Sequence, residues 1–169
     1  MKYFEILVDE NYIPPCPIEW YGKLDKKALE GKKVYELPRH YIFSVERHQQ
    51  MVFTDIITFP CFMISEKLKE IIQKYDPHIR YTRIIFYDRM RGESKEYYLP
   101  ILEEREDERK AGSSLADILI LKQKNIENSV IFAIRQKQQT RIIMRIDLLE
   151  SILRRDAIGI GINEIKVGG

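Results

Sequence analysis

The sequence predicts an α+β fold, mainly antiparallel sheet with two or three helices. Three observations lead there. Most apolar residues fall in short runs rich in β-branched and aromatic types, bounded by Pro, Gly or polar residues. Only two segments combine helical spacing of apolar residues with a capping residue in front of them. Adjacent strand-like runs are twice joined by short polar turns, as in hairpins.

Residues 2 to 8 (Lys-Tyr-Phe-Glu-Ile-Leu-Val) suit an opening strand, which Pro14, Pro15 and Pro17 end. From Ile18 to Arg39 no period is sustained, so this stretch reads as loop, with one helical turn near Asp25 to Leu29. Tyr41 to Val45 and Met51 to Phe59 read as strands, the second stopped by Pro60. A helix is predicted from Glu66 to about Tyr75: Ser65 can accept a backbone N–H at its start, and Asp76-Pro77 ends it. Leu68, Ile71, Ile72 and Tyr75 share one face of that helix. Tyr81 to Arg89 and Lys95 to Leu102 then form a hairpin around the Gly-containing turn Met90 to Ser94. The mixed-sign run Glu103 to Lys110 fits a solvated helix or a loop, and Ser113 to Lys124 a helix or a strand. A second hairpin pairs Ser129–Arg135 with Thr140–Ile146, and Asp147 is expected to cap a helix running to Arg155. Ala157 to Val167 closes the chain as a strand. The pattern Leu68-Lys-Glu-Ile71-Ile72 returns as Leu149-Glu-Ser-Ile152-Leu153, which fits either an internal repeat or the commonest supersecondary coincidence.

At 169 residues the chain has the size of one domain (1–169), able to bury a core without metal or disulfide support. Its 28 Lys and Arg nearly cancel 26 Asp and Glu, and a net charge of +2 sets up no field that would gather nucleic acid or anionic lipid. The N-terminus lacks the apolar core of a signal peptide, and no apolar run is long enough to span a membrane. Cys16 and Cys61 form neither a CxxC nor a disulfide framework, so both are expected as free thiols in a reducing cytoplasm.

No catalytic constellation is legible. His40, His48 and His78 lack metal-pair spacing, and the sequence carries no nucleophile elbow and no phosphate-binding Gly loop. Gly159 and Gly161 lie on a presumed strand and read as bulge or packing sites. Asp76 with Glu93-Ser94-Lys95 has the residue types of a metal-dependent nuclease, in which carboxylates hold Mg²⁺ and a lysine positions water. Here, however, Asp76 stops a helix and Glu93 falls in a turn. The candidate binding residues are Tyr81, Arg83, Tyr87 and Arg89, on one face of a strand by period 2, with Tyr97 and Tyr98 on its hairpin partner. Tyr and Arg dominate protein interfaces because each joins contact area to directed hydrogen bonds. An ordinary solvated sheet face would carry the same residues. RNA stacking on the tyrosines would call for an aromatic RNP-type motif and a basic balance, and the sequence has neither.

Four segments carry a family resemblance. They are Phe59-Pro60 through Ile64-Ser65-Glu66-Lys67-Leu68, Tyr97-Tyr98-Leu99-Pro100-Ile101-Leu102, Ser129-Val130-Ile131-Phe132-Ala133-Ile134, and Arg141-Ile142-Ile143-Met144-Arg145-Ile146-Asp147-Leu148-Leu149. In their order and approximate spacing, from Phe59 onward, the chain resembles the bacterial polymorphic-toxin immunity proteins of immunity family 11, first grouped as a domain of unknown function. The resemblance implies a cytoplasmic protein that binds and neutralises a cognate toxin by direct contact; the residues themselves lead to the expectation of no enzyme activity and no cofactor, metal, nucleic-acid or membrane partner. It brings no catalytic residues. Alternatives are a metal-dependent nuclease-like enzyme and a self-assembling module, the homo-oligomeric state being left open.

Overall fold

The computed structural model describes residues 1–24, 38–106, 120–122, 126, 128–136 and 139–168. The helical turn expected at Asp25 to Leu29 lies outside them, as do most of the runs Glu103–Lys110 and Ser113–Lys124. The fold is α+β and sheet-dominated, with two helices among the described residues. The chain divides into two compact units: Val8–Ile101 with Ala157–Ile160, and Met1–Leu7 with Leu102–Asp156 and Gly161–Gly169.

The first unit is built on a six-stranded sheet in the order β2-β3-β6-β7-β5-β4. Its strands are β2 (Pro17–Ile18), β3 (His40–Val45), β4 (Ile56–Ile57), β5 (Met63–Ser65), β6 (Arg80–Asp88) and β7 (Glu93–Ile101). Helix α1 (Glu66–Tyr75) follows β5 directly. The Ser65 hydroxyl accepts the Leu68 N–H, the Asp76 N–H closes on the Ile72 carbonyl, and Leu68, Ile71 and Ile72 are buried. β6 and β7 pair antiparallel over their full length, from Arg80↔Ile101 to Asp88↔Glu93. On one face Tyr41, Phe43 and Val45 of β3, Ile84 and Phe86 of β6, and Tyr97 and Leu99 of β7 form the core. The alternation of buried and exposed residues along β3 and β6 is thus the expected period 2.

The strand expected over Met51–Phe59 shrinks to an isolated bridge at Met51 and the two residues of β4. Local side-chain bonds take the backbone elsewhere. Thr54 Oγ1 donates to the Ile56 carbonyl at 2.6 Å. Asp55 is a buried tie-point: its carboxylate accepts the Ser65 hydroxyl at 2.6 Å and the Ile158 N–H at 2.8 Å, and Lys67 Nζ stands 2.8 Å away. Gly159 takes φ +75° with its Cα against the Thr54 side chain, where a Cβ would overlap. Of the two free thiols, Cys16 is exposed and Cys61 is half-buried against the core.

The second unit carries a six-stranded sheet in the order β8-β10-β11-β1-β12-β9. Its strands are β1 (Tyr3–Val8), β8 (Glu104–Glu106), β9 (Ile120–Lys122), β10 (Ile131–Gln136), β11 (Gln139–Arg145) and β12 (Ile160–Gly168), with helix α2 (Ile146–Leu153) directly after β11. Tyr3, Phe132, Ile134, Ile143 and Ile165 pack on one face, joined by Ile126. Beside them, Glu5 and Arg141 form an ion pair, with Arg141 Nε 2.7 Å from Glu5 Oε1. Asp147 is not the cap of α2. Arg145 holds that position, and the Asp147 carboxylate in the first turn takes the Arg145 guanidinium at 2.7 and 2.8 Å. That ion pair holds the Asp147 carboxyl below its ordinary value.

The two sheets share a topology. In each, a helix joins two strands that flank one inserted strand: β5-α1-β6 around β7, and β11-α2-β12 around β1. A parallel strand lies outside the later strand of each pair (β3 on β6, β9 on β12), and an antiparallel one outside the earlier (β4 on β5, β10 on β11). Corresponding elements β3 and β9, α1 and α2, β6 and β12 lie about 80 residues apart in the chain. In the second unit the inserted strand, β1, comes from the N-terminal segment, whereas β7 of the first unit follows β6 directly. Leu68 and Ile71 are buried, as are Leu149 and Ile152. The third pair differs, since Ile72 is buried and Leu153 is exposed.

Candidate functional site

The predicted binding stripe lies on β6 and β7 in the first unit. Thr82, Ile84 and Phe86 are buried in the direction of the core, which leaves Tyr81, Arg83, Ile85 and Tyr87 on the other face. The stripe is not uniform. At the start of β6, Tyr81 is half-buried, with the Lys69 ammonium of α1 at 5.9 Å from its ring. Its hydroxyl is enclosed without a hydrogen-bond partner, and burial, with a contribution from Asp76, pushes its pKa up to about 12. In the middle, Arg83 is exposed and clamps Glu96 of β7 through two N–H donors, Nε at 2.9 Å. The bond from Arg83 holds the Glu96 carboxyl below the usual range. Further along, Tyr87 is 40% exposed. Arg89 lies past the end of β6, in the turn.

The partner strand divides for a simple reason: neighbouring residues of a strand face opposite sides, so Tyr97 and Tyr98 cannot both join the stripe. Tyr97 belongs to the core. It is fully buried, with its ring 5.3 Å from Phe86 and its hydroxyl donating to the Thr54 carbonyl at 2.8 Å. It is therefore corrected out of the binding set. Tyr98 is on the stripe side but nearly covered. The Lys69 ammonium stands 3.9 Å from its ring centre, and its hydroxyl donates to Glu96 at 3.2 Å. It supports the face more than it forms it.

Sequence reasoning missed β3's contribution. The parallel register sets His40 beside Arg83, Ile42 beside Ile85 and Ser44 beside Tyr87. Ile42 is 57% exposed. A signal existed, since Tyr41, Phe43 and Val45 alternate as core residues and so turn Ile42 outward. The side of β6 on which β3 would pair was not legible. The face thus comprises an apolar strip, Ile42, Ile85 and Tyr87, bordered by the Arg83–Glu96 pair.

The nuclease-like residues do not come together. Asp76 caps the end of α1, ahead of the first residue of β6, whereas Glu93 pairs with β6's last residue and meets Arg47 at 3.2 Å. A nine-residue strand sets these ends roughly 27 Å apart. Among the described residues no group of three His, Cys, Asp or Glu could hold a metal ion, and no helix is long and apolar enough to cross a membrane. No protein-family model matches the chain, and a search of curated proteins returns no significant relative.

Proposed function

We propose that this chain is an immunity-type binding protein of the bacterial cytoplasm that neutralises a cognate toxin by direct contact through the outer face of β6. The observation that carries the reading is the outward Tyr87 on a strip with Ile42 and Ile85, beside an Arg83 already oriented by Glu96. An arginine held before binding loses less freedom on association, and Tyr and Arg are the residue types that dominate interface centres. The resemblance of the four segments from Phe59 onward supplies the toxin as partner class. The decisive experiment co-expresses the chain with the product of the neighbouring gene and measures the affinity of Tyr87→Ala. Truncation of a central aromatic should cost at least about 2 kcal/mol, roughly thirtyfold in Kd, with the thermal midpoint within 2 °C of the parent. Wild-type affinity in Tyr87→Ala would place the interface elsewhere. A stable homodimer with no foreign partner would favour self-assembly, and Mg²⁺-dependent cleavage of nucleic acid abolished by Glu93→Ala would replace the reading with an enzyme.

A further inference from the structure

The tip of the β6–β7 hairpin carries two arginines, Arg89 and Arg91, that form no ion pair among the described residues. Several arginines elsewhere in the described residues end on carboxylates: Arg83 on Glu96, Arg135 on Glu104, Arg141 on Glu5, Arg145 on Asp147. At the tip, Arg89 and Arg91 are exposed and have no such partner among the described residues, and the nearby Glu93 is engaged by Arg47. Between the two arginines stands Met90, 89% exposed.

The loop backbone is nevertheless held. Asp88, 3% exposed, accepts the N–H of Met90 at 2.9 Å and of Arg91 at 3.3 Å through Oδ1. The Gly92 N–H donates to the Asp88 carbonyl at 2.9 Å, and Gly92 supplies the positive φ of +65° that brings the chain back into β7. Two guanidinium groups are therefore carried at fixed backbone positions around an adaptable apolar side chain. Guanidinium matches carboxylate in a two-point geometry, and Met moulds itself to irregular apolar surface.

We propose that this tip docks onto an acidic protein segment, carboxylates flanking an apolar residue, on the partner. The inference rests on the reading of the outer β6 face as the binding surface and names the chemistry of what meets its end. A nucleic-acid backbone fits less well, because its phosphates bring no apolar group to meet the exposed Met90 between the two arginines.

The test is an NMR titration of the ¹⁵N-labelled full chain with a capped peptide of six Asp and Glu residues around a central Leu. Amide shifts should concentrate between Tyr87 and Lys95, saturate, and weaken as salt is added. Arg89→Glu/Arg91→Glu should weaken binding at least tenfold, Arg89→Gln/Arg91→Gln by less, both with unchanged thermal midpoints because the side chains are exposed. Shifts elsewhere, no shifts, or wild-type affinity in the Glu double variant would overturn the proposal. So would a single-stranded DNA of equal charge that occupies the tip at least as tightly. If the peptide fails while Tyr87→Ala still loses the co-expressed partner, only the acidic chemistry falls. If the peptide binds at the tip while Tyr87→Ala keeps that partner, the proposed site on β6 falls.

Discussion

Replacing Asp55 by Ala removes the tie between three segments of the first unit. The carboxylate is 7% exposed and accepts the Ser65 hydroxyl at 2.6 Å and the Ile158 N–H at 2.8 Å. Hydrogen bonds to a charged group contribute about 1.5–3 kcal/mol each, so two together amount to about 3–6 kcal/mol. The Lys67 pair adds little, because that ammonium is 41% exposed and screened. Ser65 also caps α1, and its hydroxyl would lose its acceptor while the cap bond to Leu68 remains. The net cost should be about 3–5 kcal/mol for Asp55→Ala. Asp55→Asn should lose about half as much, because its amide oxygen still accepts one of the two donors. Urea unfolding followed by Trp20 fluorescence suits the measurement, since this lone tryptophan packs on the core of the same unit. At about 2–4 °C per kcal/mol for a chain of this length, the Ala variant should also melt roughly 6–20 °C lower. A loss below about 1 kcal/mol, or Asn and Ala variants of equal stability, would refute the reasoning.

Gly159→Ala should cost at least about 2 kcal/mol, from the left-handed φ and from overlap with Thr54. A double-mutant cycle with Thr54→Gly, which removes both overlapping carbons, should recover about 1 kcal/mol, and strict additivity would show that the overlap is relieved some other way. In the second unit, Glu5→Ala should destabilise by about 3–5 kcal/mol, because it strips the carboxylate from a guanidinium only 16% exposed. Glu5→Met/Arg141→Met should lose much less, and equal losses in urea melts would contradict that account. The Asp147 carboxyl lies below its ordinary 3.8 in the folded chain, so its pairing with Arg145 stabilises fully above that value and is lost as pH falls through the lower folded value. The stability gap between the parent and Asp147→Asn should therefore be flat from neutral pH down to about 5 and close below about 4. A gap that widens in acid would reverse the sign of the argument.

Sequence alone determined the elements whose signals are local. Ser65 ahead of an apolar face and Asp76-Pro77 behind it mark both ends of α1, and alternation with a Gly turn places β6 and β7 to within one or two residues. It also determined that Arg83 and Tyr87 face away from Ile84 and Phe86, since period 2 is a property of the strand itself. Where side chains compete with the backbone, pattern misled. Thr54 and Asp55 read as strand residues, yet their side chains bind carbonyls, hydroxyls and N–H groups outside a ladder. Asp147 read as a cap because the sequence does not show that Arg145 would claim its carboxylate. Pairing between distant strands was beyond local reading altogether. That β3 runs parallel to β6 and brings Ile42 beside Ile85 on the outer face is decided by contacts about 40 residues apart. That β1 enters between β11 and β12 joins the two ends of the chain in one sheet. Such choices minimise exposed apolar surface and unpaired backbone over the whole unit, a condition that no short window of residues contains.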